Sequence, residues 1–507
     1  MRSRLVVLFA AASAAFAWVD GSNAQLRVPE PVDQIVVDAV LADLADATRR
    51  LADNDIAGAD RRFDTALASP GFEVLASDQR YESLVRAGIA ALEVDAARKA
   101  HALLVRACEL EEAEGIAWHL RLRAAYSLKD YVDSARSITV IARRWPAGLD
   151  QIREQAIFDV SHRIDLSGAD SDARITMLSA LFDANWTNEG QEPNELWFDY
   201  VRYLLAKSDM SHATEVAARM DSPEFVLSFR IDKRFDALVR ARKGGFDIGR
   251  TMQRQRERLQ QLRERHPDRL SHIVAELVMD VRDGHAERAL EMADRVIARV
   301  TTEGATAYAD TADHYVWILD SRAQALQRLG RWDEAVTQLR KAARRPENGG
   351  MNVSQTLNLA RLLARLERND EVEDAMEELG VMSPYGRMQL ALNRLIVADA
   401  QGNTAAVTTQ LDAMRAERSE SMGGYQVALV LAGRIDAAAA LLIERLRGED
   451  WRRDALSEVQ TYTDVAQTPR DKAHMVHLRQ ILARKDVQEA LEAVGRTERV
   501  PFANPFF

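Results

Sequence analysis

The sequence predicts an all-α fold built by repetition of helix pairs, and three observations carry that expectation. Alanine and leucine are abundant while aromatic residues make up only 6% of the 507 positions; such a composition suits helices, because sheets favour β-branched and aromatic side chains. No segment sustains the alternation of a half-buried strand, so a β-barrel made by this chain is not expected. One short pattern also recurs along the chain: a Gly, Asn, Asp or Ser, four residues, then an alanine opening a helix. Core-type residues follow that alanine at four and seven places.

Each part of the pattern has a physical role. The first residue can take the left-handed conformation that ends one helix and turns the chain. The alanine lies on the first turn of the next helix, where a small side chain lets two helices approach closely. Positions four and seven residues later share its face and bury against the preceding helix. A single pair cannot cover its own apolar face, so neighbouring pairs must stack.

In chain order the openings are Asn54 to Ala59, Asp95 to Ala100, Asp130 to Ala135, Gly284 to Ala289, Gly330 to Ala335 and Gly433 to Ala438, with weaker copies at Ser208 and Asp370. The Gly330 copy continues through Leu339 and Ala342 and closes at Pro346; the Asn54 copy continues through Phe63 and Ala66 and closes at Pro70. These two segments, 316–346 and 54–70, resemble the tetratricopeptide repeat family. The resemblance implies an α-α superhelix of antiparallel helix pairs with a concave groove for protein or peptide partners. The family period is about 34 residues. Ala100 and Ala135 stand near that distance, whereas Ala135 and Ala213 leave room for two units.

Residues 232–238 and 450–456 share Asp, Arg, Asp, Ala and Leu at matching places. Each copy follows a helical array and is expected to close one half, and Gly244-Gly245 supplies a breaker. The expected organisation is a signal peptide over 1–24, repeat arrays over 25–245 and 246–496, and an extended hydrophobic tail over 497–507. Longer connections are expected over 185–194, 301–312 and 346–354.

Arg2 and Arg4, the apolar stretch from Leu5 to Trp18 and the small-x-small Ser22-Asn23-Ala24 read as a cleavable secretory signal. Ala15-Phe16-Ala17 offers a second cleavage site, and the alternative is a retained N-terminal anchor helix. No later segment is long and apolar enough to span a bilayer. With a single cysteine, Cys108, an internal disulfide is impossible, which fits a periplasmic or secreted bacterial protein stabilised by packing. Formal charge is −11; removing a segment that carries Arg2, Arg4 and Asp20, net +1, leaves −12. That acidity disfavours nucleic-acid partners, whose binding requires neutralising phosphates.

No catalytic, cofactor-binding or metal-binding constellation is expected. There is no phosphate-binding glycine loop, no H-E-x-x-H and no nucleophile elbow. His474 and His477 share a helix face but lack a third ligand. Glu420-Ser421 and Gly386-Arg387-Met388-Gln389 resemble lytic transglycosylase signatures, in reversed order, with Glu420 in a polar run unsuited to a raised carboxyl pKa. Trp118, Trp197, Trp317, Trp332 and Tyr126 occupy helix-pair positions and are expected to be core.

Two segments remain as candidate partner contacts. Arg250 to His266 carries six arginines, Arg250, Arg254 and Arg258 among them, against Glu257 and Glu264. The C-terminus places Phe502, Phe506 and Phe507 beside two prolines and a free carboxylate, the form of a short recognition segment or of a tail that packs back. The expected function is an exported, non-enzymatic scaffold for protein or peptide partners in the cell envelope. Alternatives are an envelope protein that handles a ligand or carbohydrate in the same groove, or a degenerate transglycosylase.

Overall fold

The computed structural model describes residues 33–164, 171–347, 350–377 and 379–504. The expected signal peptide and the residues Phe506 and Phe507 lie outside them. The chain forms two compact units, Met1–Ala217 and Ala218–Phe507. Both are helical, as the composition predicts.

The first unit stacks the pairs Gln34–Ala52 with Ile56–Leu67, Ser77–Glu93 with Ala97–Cys108, and Gly115–Leu128 with Tyr131–Arg144. An irregular stretch follows, with Glu154–Arg163 and Ser171–Asp183, the latter against Asn194–Ala206, and then helix Met210–Arg219. The joints are left-handed at Asn54, Asp95, Lys129 and Ser208. At each, the next amide reaches back to a carbonyl five residues earlier, as in Asp55 N to Arg50 O at 2.9 Å and Ala96 N to Ala91 O at 2.8 Å. That bond satisfies a carbonyl the helix end would otherwise leave open.

The second unit repeats the device. Leu270–Arg282 pairs with Ala286–Glu303, Thr311–Arg328 with Trp332–Ala343, Ser354–Arg365 with Asp370–Ala375, Pro384–Ala400 with Thr404–Ala416, and Met422–Leu431 with Ile435–Arg447. Their joints are Gly284, Gly330, Glu367, Gly402 and Gly433, all with positive φ. The residue five places beyond each joint is buried: Ala289, Ala335, Val372, Val407 and Ala438.

Two details depart from the sequence pattern. The expected Asp130 joint is Lys129, which puts Ser134 rather than Ala135 five residues on, with Ile138 and Ile141 behind it. The expected Asp370 joint is Glu367, and Val372 takes the buried place assigned to Ala375, which is only half-buried. Both joints use residues without a turn preference, held in place by the helices on either side.

The division between units falls at Ala217, ahead of the expected boundary near 245. Gly244 does make a left-handed turn. Residues 223–241, however, are tied to the end of the chain. Helix Pro223–Ile231 packs on Arg452–Glu458. Arg234 donates to Glu449 O at 3.3 Å, and the Arg453 guanidinium lies 4.7 Å from the Phe225 ring centroid. Arg496 holds Asp236 at 2.8 and 3.0 Å. The two similar segments are therefore joined within one unit instead of closing two halves.

The C-terminal tail packs back. Strand β1 (Thr461–Thr463) pairs in parallel with β2 (Arg499–Ala503). Both are too short to show alternation in the sequence. Val500 and Phe502 point inward and Pro501 outward, where its missing N–H costs no ladder bond. Phe502, expected as a partner contact, is 1% exposed and packs 5.9 Å from the Tyr462 ring, so it is core.

Candidate functional site: an arginine-lined groove

The first helices of successive pairs in the second unit, Thr311–Arg328, Ser354–Arg365, Pro384–Ala400 and Met422–Leu431, line one wall of a groove. The opposite wall is the chain's own residues 458–482, with Asn504. Between them lies a cavity of about 640 Å³.

Ion pairs fasten the inserted helix Pro469–Leu482. Arg365 grips Asp471 at 2.8 and 2.7 Å, while Arg470 reaches Asp399 at 2.7 Å and Glu367 at 3.2 Å. Asp471 also forms a reciprocal cap with Thr468 at the helix start. Behind it, His477 Nδ1 meets the Val430 carbonyl at 2.8 Å. His474 is buried, and burial pushes its imidazole down to about 4. The two histidines thus serve the seating of this helix.

The charges around the cavity are unevenly compensated. Arg361 donates to the neutral side chains of Gln389 and Asn393, and Arg328 donates to the Asn504 carbonyl at 3.1 Å. Of the wall carboxylates, Asp464 is exposed to solvent, and the others are engaged. Asp471 is held by Arg365, and Glu458 by Arg445 at 2.5 and 2.6 Å. Asp320 accepts from Asn358 at 2.9 Å and Gln324 at 2.7 Å; burial pushes its carboxyl up, and the two amides offset this only in part. Burial likewise lowers Arg361 to about 10 and Arg328 below its usual range, with Arg365 adding to both. At neutral pH these guanidiniums remain charged.

The sequence-derived candidates lie elsewhere. Arg250 and Arg254 are exposed on helix Ile248–Arg265, and Arg258 pairs with Asp221 at 3.1 Å. Other arginines of that run are engaged within the unit, Arg256 with Asp280 and Asp283 and Arg263 with Glu276. Trp118 and Trp197 are core, but Trp317 is 36% exposed and Trp332 lines the cavity. Glu420 is exposed, and Ser421 caps the next helix by accepting from Gly424 N at 3.1 Å, so the pair does not form the apolar acid site a glycosidase needs.

Cys108 is half-buried, and burial pushes its thiol up to about 12 against a smaller lowering by Arg121. One cluster escaped sequence reasoning because its members lie far apart in the chain: His101, Asp130 and Asp133 bring ligand atoms within 4.8 Å of one another. Asp130 caps the Asp133 amide, His101 meets Asp133 at 2.8 Å, and the buried Arg121 stands 4.0 Å from Asp133. A cation already occupies the neighbourhood, and the cluster is a hydrogen-bonded helix start.

Among the described residues, no helix is long and apolar enough to cross a membrane. No protein-family model matches the sequence, and no significant match to a curated protein is found. Solved structures similar to the chain include the APC/C Cut9–Hcn1 hetero-tetramer, at 13% identity over 89% of each chain with a TM-score of 0.29. Yeast Tom70 gives 11% identity, 90% of this chain, 99% of that chain and 0.24. The P58(IPK) TPR domain gives 13%, 81%, 100% and 0.20. Superpositions that loose leave the assignment to the chain's own geometry. Paired antiparallel helices, left-handed joints and a buried small or β-branched residue five places beyond most of them give the chain a tetratricopeptide-like helical-repeat fold.

Proposed function

We propose that the chain is an exported, non-enzymatic scaffold that binds protein or peptide partners in the bacterial cell envelope. The observation that carries the binding role is the groove of the second unit, which already holds a peptide segment, residues 461–482 of the same chain. Charge pairs fasten it, and apolar side chains such as Leu431 on one wall and Leu478 on the other line the cavity. A surface that seats a helix in this way uses the helix-in-groove mode of peptide recognition. The envelope location rests on the sequence of residues 1–24.

Cross-linking of the full chain in its native cells, followed by mass spectrometry, tests the binding role. A stoichiometric protein partner cross-linked to residues of the helix pairs is expected. Recovery of the uncross-linked monomer alone would overturn it. Amino-terminal sequencing of the mature protein tests export: a start at Gln25 is expected, and an intact Met1 would remove the envelope assignment.

A further inference from the structure

We propose that the cavity behind helix Pro469–Leu482 is a binding site for a small organic anion with an apolar body, a carboxylate or phosphate monoester. This goes beyond the scaffold role and concerns a different class of ligand.

Three features of the cavity argue for an anion. Arg328, Arg361 and Arg365 come from two successive first helices and line one partly open cavity. Only Arg365 has a carboxylate partner; the other two bond to an amide carbonyl or to neutral side-chain amides. Placing cations together away from bulk water is costly unless an anion joins them. The planar guanidinium fork matches both carboxylate and phosphate oxygens.

The remaining wall specifies the rest of the ligand. Trp332, Val427, Leu431, Met475, Leu478 and Leu482 line the same space and are each incompletely buried. An inorganic ion would leave that apolar surface wetted, whereas an alkyl or aryl group would cover it. A volume of about 640 Å³ falls within the range that holds small organic ligands, roughly 300–1,000 Å³. Asn358 and Gln324 are exposed at its edge, which provides a polar mouth.

Titration calorimetry on the full chain tests the site with octanoate, octyl phosphate, 1-octanol and inorganic phosphate. At least one octyl anion is expected to bind saturably, and at least tenfold more tightly than octanol or inorganic phosphate. The double variant Arg328→Met, Arg361→Met is expected to lose at least tenfold in affinity. Met475→Trp, which keeps both arginines and fills the space, is expected to block binding as well.

Thermal shift gives an independent reading. The octyl anion should raise the melting temperature of the wild type and leave the double variant unchanged. The proposal is overturned if neither octyl anion binds the wild type saturably. It is equally overturned if a folded double variant binds as the wild type does; should that variant not fold, unaltered binding by Met475→Trp is decisive. Cross-linked protein partners that persist in these variants would separate this site from the scaffold role.

Discussion

A single guanidinium, that of Arg365, holds both carboxylate oxygens of Asp471, across 106 residues of sequence. The pair joins a first helix of the repeat to the segment that fills its groove. Burial acts to raise the Asp471 carboxyl, but Arg365 and the Thr468 amide outweigh it and hold the group below the usual carboxylate range. A carboxylate lowered in this way adds stability that is complete above about pH 4 and is lost as pH falls through the folded-state value.

Asp471→Asn keeps an acceptor for the Thr468 cap but turns an amide N–H toward Arg365. Loss of about 2–3 kcal/mol is expected, since removing one partner strands the other charge. Urea unfolding measures the change, and limited proteolysis should cut the 464–468 segment faster in the variant. Wild-type values in both would show that the pair does not fasten the segment.

His474 gives a second, separable acid sensitivity. Burial lowers it to about 4, against about 6.5 in an unfolded chain, with Asp471 opposing and His477 and Arg365 reinforcing the shift. The unfolded state therefore binds the proton first, and stability falls as pH drops from about 6.5 to about 4, by on the order of 2–3 kcal/mol. His119 in the first unit is lowered similarly by burial. His474→Gln should flatten only the second unit's share of this slope, read as melting temperature against pH. An unchanged profile would place the titration elsewhere.

The joints were legible where a Gly, Asn, Asp or Ser takes positive φ, as at Asn54, Gly330 and Ser208. They were hidden where Lys129 or Glu367 does the same work, because the neighbouring helices impose a conformation the residue does not favour. The Gly402 joint was missed for a different reason: Val407 fills the position where alanine was sought. The groove-filling segment was not readable at all. Its pairing with helices that lie tens to about a hundred residues earlier leaves no local periodicity, and Arg328 and Arg361 look like ordinary arginines of solvated helices. The Phe-rich tail was recognised as unusual, but burial of Phe502 depends on strand β1, which a three-residue pattern cannot announce.

Gly495 reports on closure of the second unit. A Cβ there would meet Leu456 Cδ2 at 2.4 Å and the Ile231 carbonyl at 2.7 Å. Its φ of −155° is open to any residue, so the constraint is space alone. Gly495→Ala should destabilise by about 1–3 kcal/mol through overpacking. Chemical denaturation monitored by circular dichroism would detect it, and wild-type stability would mean that the 223–241 and 449–498 segments yield easily.

Ala335 tests the repeat itself. It is completely buried on the first turn of Trp332–Ala343, where it faces the preceding helix. Ala335→Trp should cost about 1–3 kcal/mol or more, and the loss should spread to adjacent pairs because each leans on its neighbours. Hydrogen exchange should show faster opening of Thr311–Arg328 and Ser354–Arg365 together. Protection lost in one helix alone would contradict a stacked array.

Lys129 offers a change in the opposite direction. It sits at φ 60° in an exposed joint, a conformation that costs an L-residue about 1–2 kcal/mol. Lys129→Gly removes that cost but adds about 0.5–1 kcal/mol of unfolded-state entropy. The balance favours the folded chain by about 0.5–1 kcal/mol, and the Asp130 amide keeps its 2.9 Å bond to the Ala125 carbonyl. A higher urea midpoint with an unchanged slope is the expected result. A lower midpoint would mean that the flanking helices, rather than the joint residue, set the energy of the turn.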